Sequence, residues 1–180
     1  REPAVTETPT DIEPVSGTAR VNAARIINAD SEPHTWLAHG RTFNEQRFSP
    51  LDQIHSGNID ELELAWFVDL DTNRGQEATP IVVDGVLYST SAWSKVQAVD
   101  AKTGQMLWQY DPQVPHEKLL ELCCDAITRG VAAWEGKIFV GTLDGRLVAL
   151  DAANGNVVWQ AQTTPEGSAY SITGAPRIIK

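Results

Sequence analysis

A chain of 180 residues holds one ordinary domain or part of a larger repeat array. Hydrophobic residues at 42% against 21% charged suffice for a packed core and exclude wholesale disorder. With 14 Lys and Arg against 24 Asp and Glu the net charge is −10, which excludes a basic face for nucleic acid or anionic lipid, and no apolar run reaches the ~20 residues of a membrane span.

The first residue is Arg1 rather than Met, as expected where an upstream segment such as a signal peptide has been removed, or where the start is artificial. Residues 1–17 are Pro-, Thr- and acid-rich without apolar periodicity and read as a mobile tail. Residues 18–29 place Val21, Ala24 and Ile27 near helical spacing, which predicts a short helix. An irregular stretch follows, in which Asn58 with Glu61 three residues on has the pattern of a capping box over one turn. Residues 63–67, with Trp66 at their centre, resemble the last strand of a four-stranded unit whose first three strands are missing.

From Ala78 onward the sequence repeats itself. Asp84-Gly85 answers to Glu135-Gly136, Asp100 to Asp151, Gly104 to Gly155 and Trp108 to Trp159, all at one offset of 51 residues. A third copy begins at Gly174. Within each copy the runs are short and β-branched, and the Asp-Gly and Glu-Gly pairs predict tight hairpins. Strands are expected over roughly 79–83, 86–91, 95–100 and 105–110, with four more one offset later. Four antiparallel strands per ~40–50 residues is the arithmetic of a propeller blade, and a β-sandwich fits the constant offset poorly. The expected fold is all-β, about two complete four-stranded blades plus partial ones. Residues 18–77 form an N-terminal segment and 78–180 the blades. The orphan strand at 63–67 would complete a blade whose inner strands come from the far end of a longer or split molecule. Trp66, Trp108 and Trp159 read as packing between blades.

Chemistry concentrates at few positions. Cys123 and Cys124 are neighbours, with Cα atoms ~3.8 Å apart across a trans peptide, below the ~4.4 Å usual for disulfides. They are either two small buried thiols or a vicinal disulfide, and any intramolecular disulfide has to join these two. Superposing the copies puts Glu77, Thr128 and Thr173 at one equivalent position before each inner strand, with Arg129 next to Thr128. Those positions would ring one mouth of a propeller channel. Glu77 and Arg129 would pair there with each other, or hold a ligand bearing carboxylates, which suits the Arg fork. His34, His39, His55 and His116 have no metal-ligand spacing, and no Gly-rich phosphate loop is present.

Gly75-Gln76-Glu77-Ala78-Thr79-Pro80, Cys123-Cys124-Asp125 with Arg129-Gly130, and Ile172-Thr173-Gly174-Ala175-Pro176 resemble the pyrroloquinoline quinone (PQQ) alcohol dehydrogenases. Gly40-Arg41 through Leu51 and Asp71-Thr72-Asn73-Arg74 resemble the quinohaemoprotein branch of that family. The resemblance runs from about Val21 to Lys180. It implies an eight-bladed propeller, a Cys123–Cys124 disulfide against one face of the quinone, and Glu77, Arg129 and Thr173 on its polar edge. It further implies a small alcohol substrate, an electron-accepting cytochrome, a periplasmic location, and calcium and haem c. The calcium ligands and the catalytic base are expected beyond Lys180, and the chain has no Cys-x-x-Cys-His haem site. The rival expectation is a non-catalytic propeller of similar repeats that serves as a protein-binding scaffold, as in outer-membrane assembly lipoproteins.

Overall fold

The computed structural model describes residues 18–165 and 167–179, so the tail expected over 1–17 lies outside the described residues. Two four-stranded antiparallel meanders dominate, each with its strands in sequence order. The first comprises β1 (Ile81–Val83), β2 (Val86–Thr90), β3 (Val96–Asp100) and β4 (Met106–Tyr110). The second comprises β5 (Ala132–Trp134), β6 (Lys137–Gly141), β7 (Arg146–Asp151) and β8 (Val157–Gln162).

The repeat is legible down to its turns. Asp84 and Gly85 have φ of 52° and 80°, and Glu135 and Gly136 have 46° and 76°, the double left-handed pattern of a two-residue hairpin that matches strand twist. Each third strand carries one register shift, between Ala98 and Val99 and again between Ala149 and Leu150, one offset apart. The Asp100 carboxylate accepts from the backbone N–H of Lys102 (2.9 Å) and Thr103 (2.7 Å) and from the Thr103 hydroxyl (2.9 Å). Those bonds hold its pKa below the ordinary value, the Thr103 hydroxyl contributing most.

The main core lies between the two sheets, where Ile81, Val83, Tyr88, Val96, Ala98, Val131, Ile138, Val140, Val148 and Leu150 are sealed from solvent. Blade joins blade through an indole. Trp108 of the first sheet donates from Nε1 to the Ala152 carbonyl at 3.0 Å, and its ring lies over Gly155, where a Cβ would come within 2.6 Å of it. Trp66 repeats this on the first sheet, donating to Ala101 O at 3.2 Å above Gly104. The buried Tyr88 hydroxyl also reaches Ala152 O, at 3.1 Å, and burial pushes its pKa up.

The N-terminal segment straps the hairpin ends of both sheets. Ala19 N donates to Asp84 Oδ2 at 3.1 Å, while Glu135 N and Gly136 N donate to Val21 O and Ala19 O. The helix expected over 18–29 is a single α-turn, α1 (Ala23–Ile27), followed by a 3-10 turn at Ala29–Ser31. Asn22 caps it through Arg25 N, and Arg25 leaves the turn to grip Glu32 (2.5 Å) and Asp84 (2.8 Å). Trp36 then forms an isolated bridge with Val82, which adds an unexpected edge to the first sheet beside β1. Arg41, 3% exposed, spends its charge on Asp30 Oδ1 (2.8 Å), Ala29 O (2.9 Å) and Phe48 O (3.3 Å), the pairing a buried cation requires.

One local expectation is corrected. Asn58 precedes only the 3-10 turn Ile59–Glu61 and makes no side-chain cap. Its amide is used upstream instead, accepting from His55 N (2.9 Å) and donating to Gln53 O (2.8 Å). Residues 63–67 form no hydrogen-bonded strand, because no other strand lies beside them among the described residues, and Leu64 and Phe67 stand 79% and 70% exposed. The third copy at 174–179 is likewise in no strand.

Candidate functional site

The segments that lead into successive inner strands lie side by side. Arg129 is the middle one: its carbonyl accepts from Thr79 N (3.2 Å) and its N–H donates to Thr173 O (2.9 Å). Gly130, at φ 124°, permits the approach, since a Cβ there would sit 2.8 Å from Thr79 O. This stacking brings three of the sequence-selected side chains together. The Arg129 guanidinium pairs with Glu77 Oε2 at 3.0 Å through Nη2 and donates to the Thr173 hydroxyl at 2.7 Å through Nη1. Thr128, expected at the same mouth, turns inward instead. It is 2% exposed, its hydroxyl lies 3.0 Å from Ser94 Oγ, and its carbonyl accepts from Thr90 Oγ1 at 3.0 Å.

Cys123 and Cys124 are joined in a disulfide, and both residues are exposed rather than buried. They sit just past the middle of a long connection between the sheets that contains a 3-10 helix, His116–Glu121, which the sequence pattern did not suggest. A satellite core of Val114, Ala126 and Leu143, with Trp93, Leu119 and Leu122 against it, anchors that connection. Trp93 N donates to Ala126 O at 2.9 Å, and Leu143 N donates to Ser94 Oγ at 3.2 Å. The connection is therefore fixed from below while both cysteines stay exposed.

Sequence reasoning missed a ring of charges and aromatics around this connection. Arg74 pairs with Asp125, the residue after Cys124, and lies 5.4 Å from the Trp93 ring centroid. Trp93 stacks in turn on His116, with centroids 4.5 Å apart. Lys95 pairs with Asp71 (2.5 Å) and Asp111 (3.3 Å). The hydrogen bond to Asp71 is the main cause of its raised pKa, against the opposing effect of burial. Lys95 shares its cationic place in the repeat with Arg146 and Arg74 aligns with Asp125, but the repeat does not say what they pair with; only the Asp71–Arg74 and Cys123–Asp125 motifs pointed toward them. Farther away, burial lowers the pKa of His39, with the Arg177 and Arg47 cations adding to it. Among the described residues no group of three His, Cys, Asp or Glu is arranged to hold a metal ion, and no helix is long and apolar enough to cross a membrane.

The donor set has a definite chemistry. A half-exposed guanidinium offers five N–H donors in a planar fork, and an ion pair this open contributes only about 0–1 kcal/mol, so an incoming anion can share or replace it. A hydroxyl stands beside it, and an exposed disulfide lies a few residues upstream. The set suits a ligand that carries carboxylates.

Residues 36–161 match the PQQ glucose/ethanol/alcohol dehydrogenase beta-propeller domain. The chain belongs to that family. It is 53% identical over 161 residues to the dehydrogenase subunit of the quinone alcohol dehydrogenase of Komagataeibacter europaeus, covering 86% of this chain and 22% of the relative. The quinohemoprotein alcohol dehydrogenase ADH IIB of Pseudomonas putida is 54% identical over 162 residues, covering 90% of this chain and 24% of that protein. The solved structure of ADHIIG from Pseudomonas putida HK5 superposes with a TM-score of 0.88 at 53% identity, over 90% of this chain and 24% of that one. The chain thus spans about a quarter of the length of the relatives it matches. The two sheets are blades of such a propeller.

Proposed function

We propose that this chain is the N-terminal part of a PQQ-dependent, quinohaemoprotein alcohol dehydrogenase, built as an eight-bladed propeller, that oxidises small alcohols to aldehydes. Its share of the work is one side of the PQQ cradle. The observation that carries the reading is the Arg129 guanidinium poised between Glu77 (3.0 Å) and Thr173 (2.7 Å), in the segment that follows an exposed vicinal disulfide.

PQQ, when bound, supplies a two-electron oxidant for the alcohol. Arg129 would hold its carboxylates by charge-assisted hydrogen bonds, which exceed neutral ones in strength. Thr173 would donate or accept beside it, and Glu77 would keep the fork aimed before the cofactor arrives. Cys123–Cys124 would present an apolar surface to one flat face. The catalytic base, the calcium ligands and a haem c domain are expected outside the 180 residues, as is the rest of the ring, with the segment around Trp66 closing it. A cytochrome would take the electrons. A periplasmic location agrees with a disulfide, since such bonds persist in oxidising compartments. The scaffold alternative has no need of the Glu77–Arg129–Thr173 set, and relatives 53% identical over most of the chain are dehydrogenases by name.

The test is ethanol-dependent dye reduction by the full-length apo-protein before and after addition of PQQ and calcium. Activity that appears only with PQQ is the expected result, and the 180-residue chain alone is expected to show none. A full-length protein that neither binds PQQ nor oxidises alcohols would overturn the reading.

A further inference from the structure

The segment from Cys123 to Arg129 is buried in its middle and more open to solvent at its ends. Ala126 and Thr128 are buried and tied to the 92–94 turn and to Thr90 by backbone and hydroxyl hydrogen bonds. The exposed ends carry the groups that would meet the cofactor, the disulfide at one and the guanidinium at the other. Both ends are gripped by a single loop of the first blade's lead-in. Glu77 holds Arg129, and Arg74, three residues earlier, holds Asp125.

Each part of the second grip has a physical reason. Asp125 stands at φ 68°, a left-handed conformation that a non-glycine residue keeps only when its surroundings enforce it. Its carboxylate receives Arg74 from outside and Ala126 N from its own chain at 2.8 Å. Arg74 is in turn placed by the Trp93 face and by Thr72, whose hydroxyl accepts from Arg74 N at 3.1 Å. The loop that bears it is moored by Asp71 on Lys95, which also holds Asp111 at the start of the disulfide-bearing connection. Arg74 and Asp125 are 33% and 40% exposed, too open for their pair to matter much to global stability. Its effect is local: it fixes the backbone turn that immediately follows Cys124.

We infer that Arg74, through Asp125, is a positioning residue that sets the disulfide relative to the Arg129 fork, so that the 71–77 loop acts as a two-point clamp on the cofactor-facing segment. The inference rests on the cofactor reading above. The test is a PQQ titration of the full-length apo-protein beside an apo-state melt, for Arg74→Ala, Asp125→Asn, the double variant, Arg74→Lys and Arg129→Ala. Asn tolerates the left-handed conformation, so Asp125→Asn removes the charge and keeps the turn. The expected result is a ~3- to 10-fold loss of PQQ affinity in each single variant at Arg74 and Asp125, with no further loss in the double. Arg74→Lys should recover part, keeping the charge but not the planar stack on Trp93. The apo melting temperature should move by less than about 3 °C. Unchanged affinity in Arg74→Ala, additive losses in the double, or a fall in affinity matched by a larger drop in melting temperature would each overturn the clamp. If Arg129→Ala weakens PQQ binding while Arg74→Ala does not, only the clamp fails. If neither does, the cofactor reading itself fails.

Discussion

The two blades are copies in sequence and differ in what surrounds them. In the first, β4 is covered: Trp108 lies over Gly155 of the next blade and donates to Ala152 O. In the second, β8 is exposed throughout, and Trp159 stands 41% open although it occupies the same place in the repeat. A blade's outer strand is therefore buried by its neighbour and not by its own sheet, as expected of a repeat array whose stability resides partly in the interfaces. The turns between second and third strands differ too. Blade two pairs its own charges there, with Asp144 receiving Arg146 through Nε (3.1 Å) and Nη2 (2.7 Å), and Arg146 reaches out only to the Pro112 carbonyl (2.7 Å). Blade one has Trp93 and Lys95 at those two positions, and both reach outward, to Arg74 and His116 and to Asp71 and Asp111. One copy satisfies its turn charges within itself; the other has given both positions to the neighbouring loops.

That contrast is open to measurement by chemical denaturation. Trp108→Ala should cost about 3 kcal/mol, because it empties a packed interface and removes one of the two hydrogen bonds to Ala152 O, whereas Trp159→Ala in this chain should cost under about 1 kcal/mol. In the full-length protein the Trp159 cost should rise toward that of Trp108, and equal costs already in the 180-residue chain would break the comparison. Gly155→Ala should cost about 2–3 kcal/mol, since the new methyl meets the Trp108 ring at 2.6 Å and the backbone stays at φ 74°. Gly85→Ala, at φ 80° with nothing within 4 Å, should cost only the backbone strain of about 1 kcal/mol.

The turn between the second and third strands of blade two adds a pH-dependent effect. Burial raises the pKa of Asp144, but hydrogen bonds from Arg146 and Thr142 outweigh it and hold the carboxyl below its ordinary 3.8. A depressed folded value means stability that is fully present above pH 3.8 and is lost as pH falls through the folded pKa. Asp144→Asn should thus cost about 1 kcal/mol at pH 7, with the gap to the parent closing below pH 3.8. A gap that persists unchanged in acid would show that the turn depends on shape and not on charge.

The repeat made the blades readable, since a fixed offset carries strands, hairpins and register shifts together. It also led to Glu77 and Thr173, and to Arg129 one position beyond their equivalent, because the lead-ins stack side by side. It misplaced Thr128, whose neighbour Ser94 belongs to a turn at φ 59° that periodicity does not announce. The Arg74–Asp125 pair escaped although its members stand one offset apart, because the residue changes from cation to carboxylate between copies; Lys95, which aligns with Arg146, pairs with a loop residue 24 positions away instead of within its own turn. The capping pattern at Asn58 failed because one turn gives little hydrogen bonding to offset its ordering, and the amide found nearer partners. Residues 63–67 have strand composition without a partner strand, and composition alone forms no ladder.

The central claim is that Arg129 serves a cofactor and not the fold. PQQ titration of the full-length apo-protein carrying Arg129→Ala, beside its apo-state melt, tests this directly. A charge-assisted contact worth about 1.5–3 kcal/mol predicts a ten- to hundredfold loss of affinity, with partial recovery in Arg129→Lys and a nearly unchanged melting temperature. Unchanged affinity with a large fall in stability would make Arg129 a structural partner of Glu77 and contradict the account.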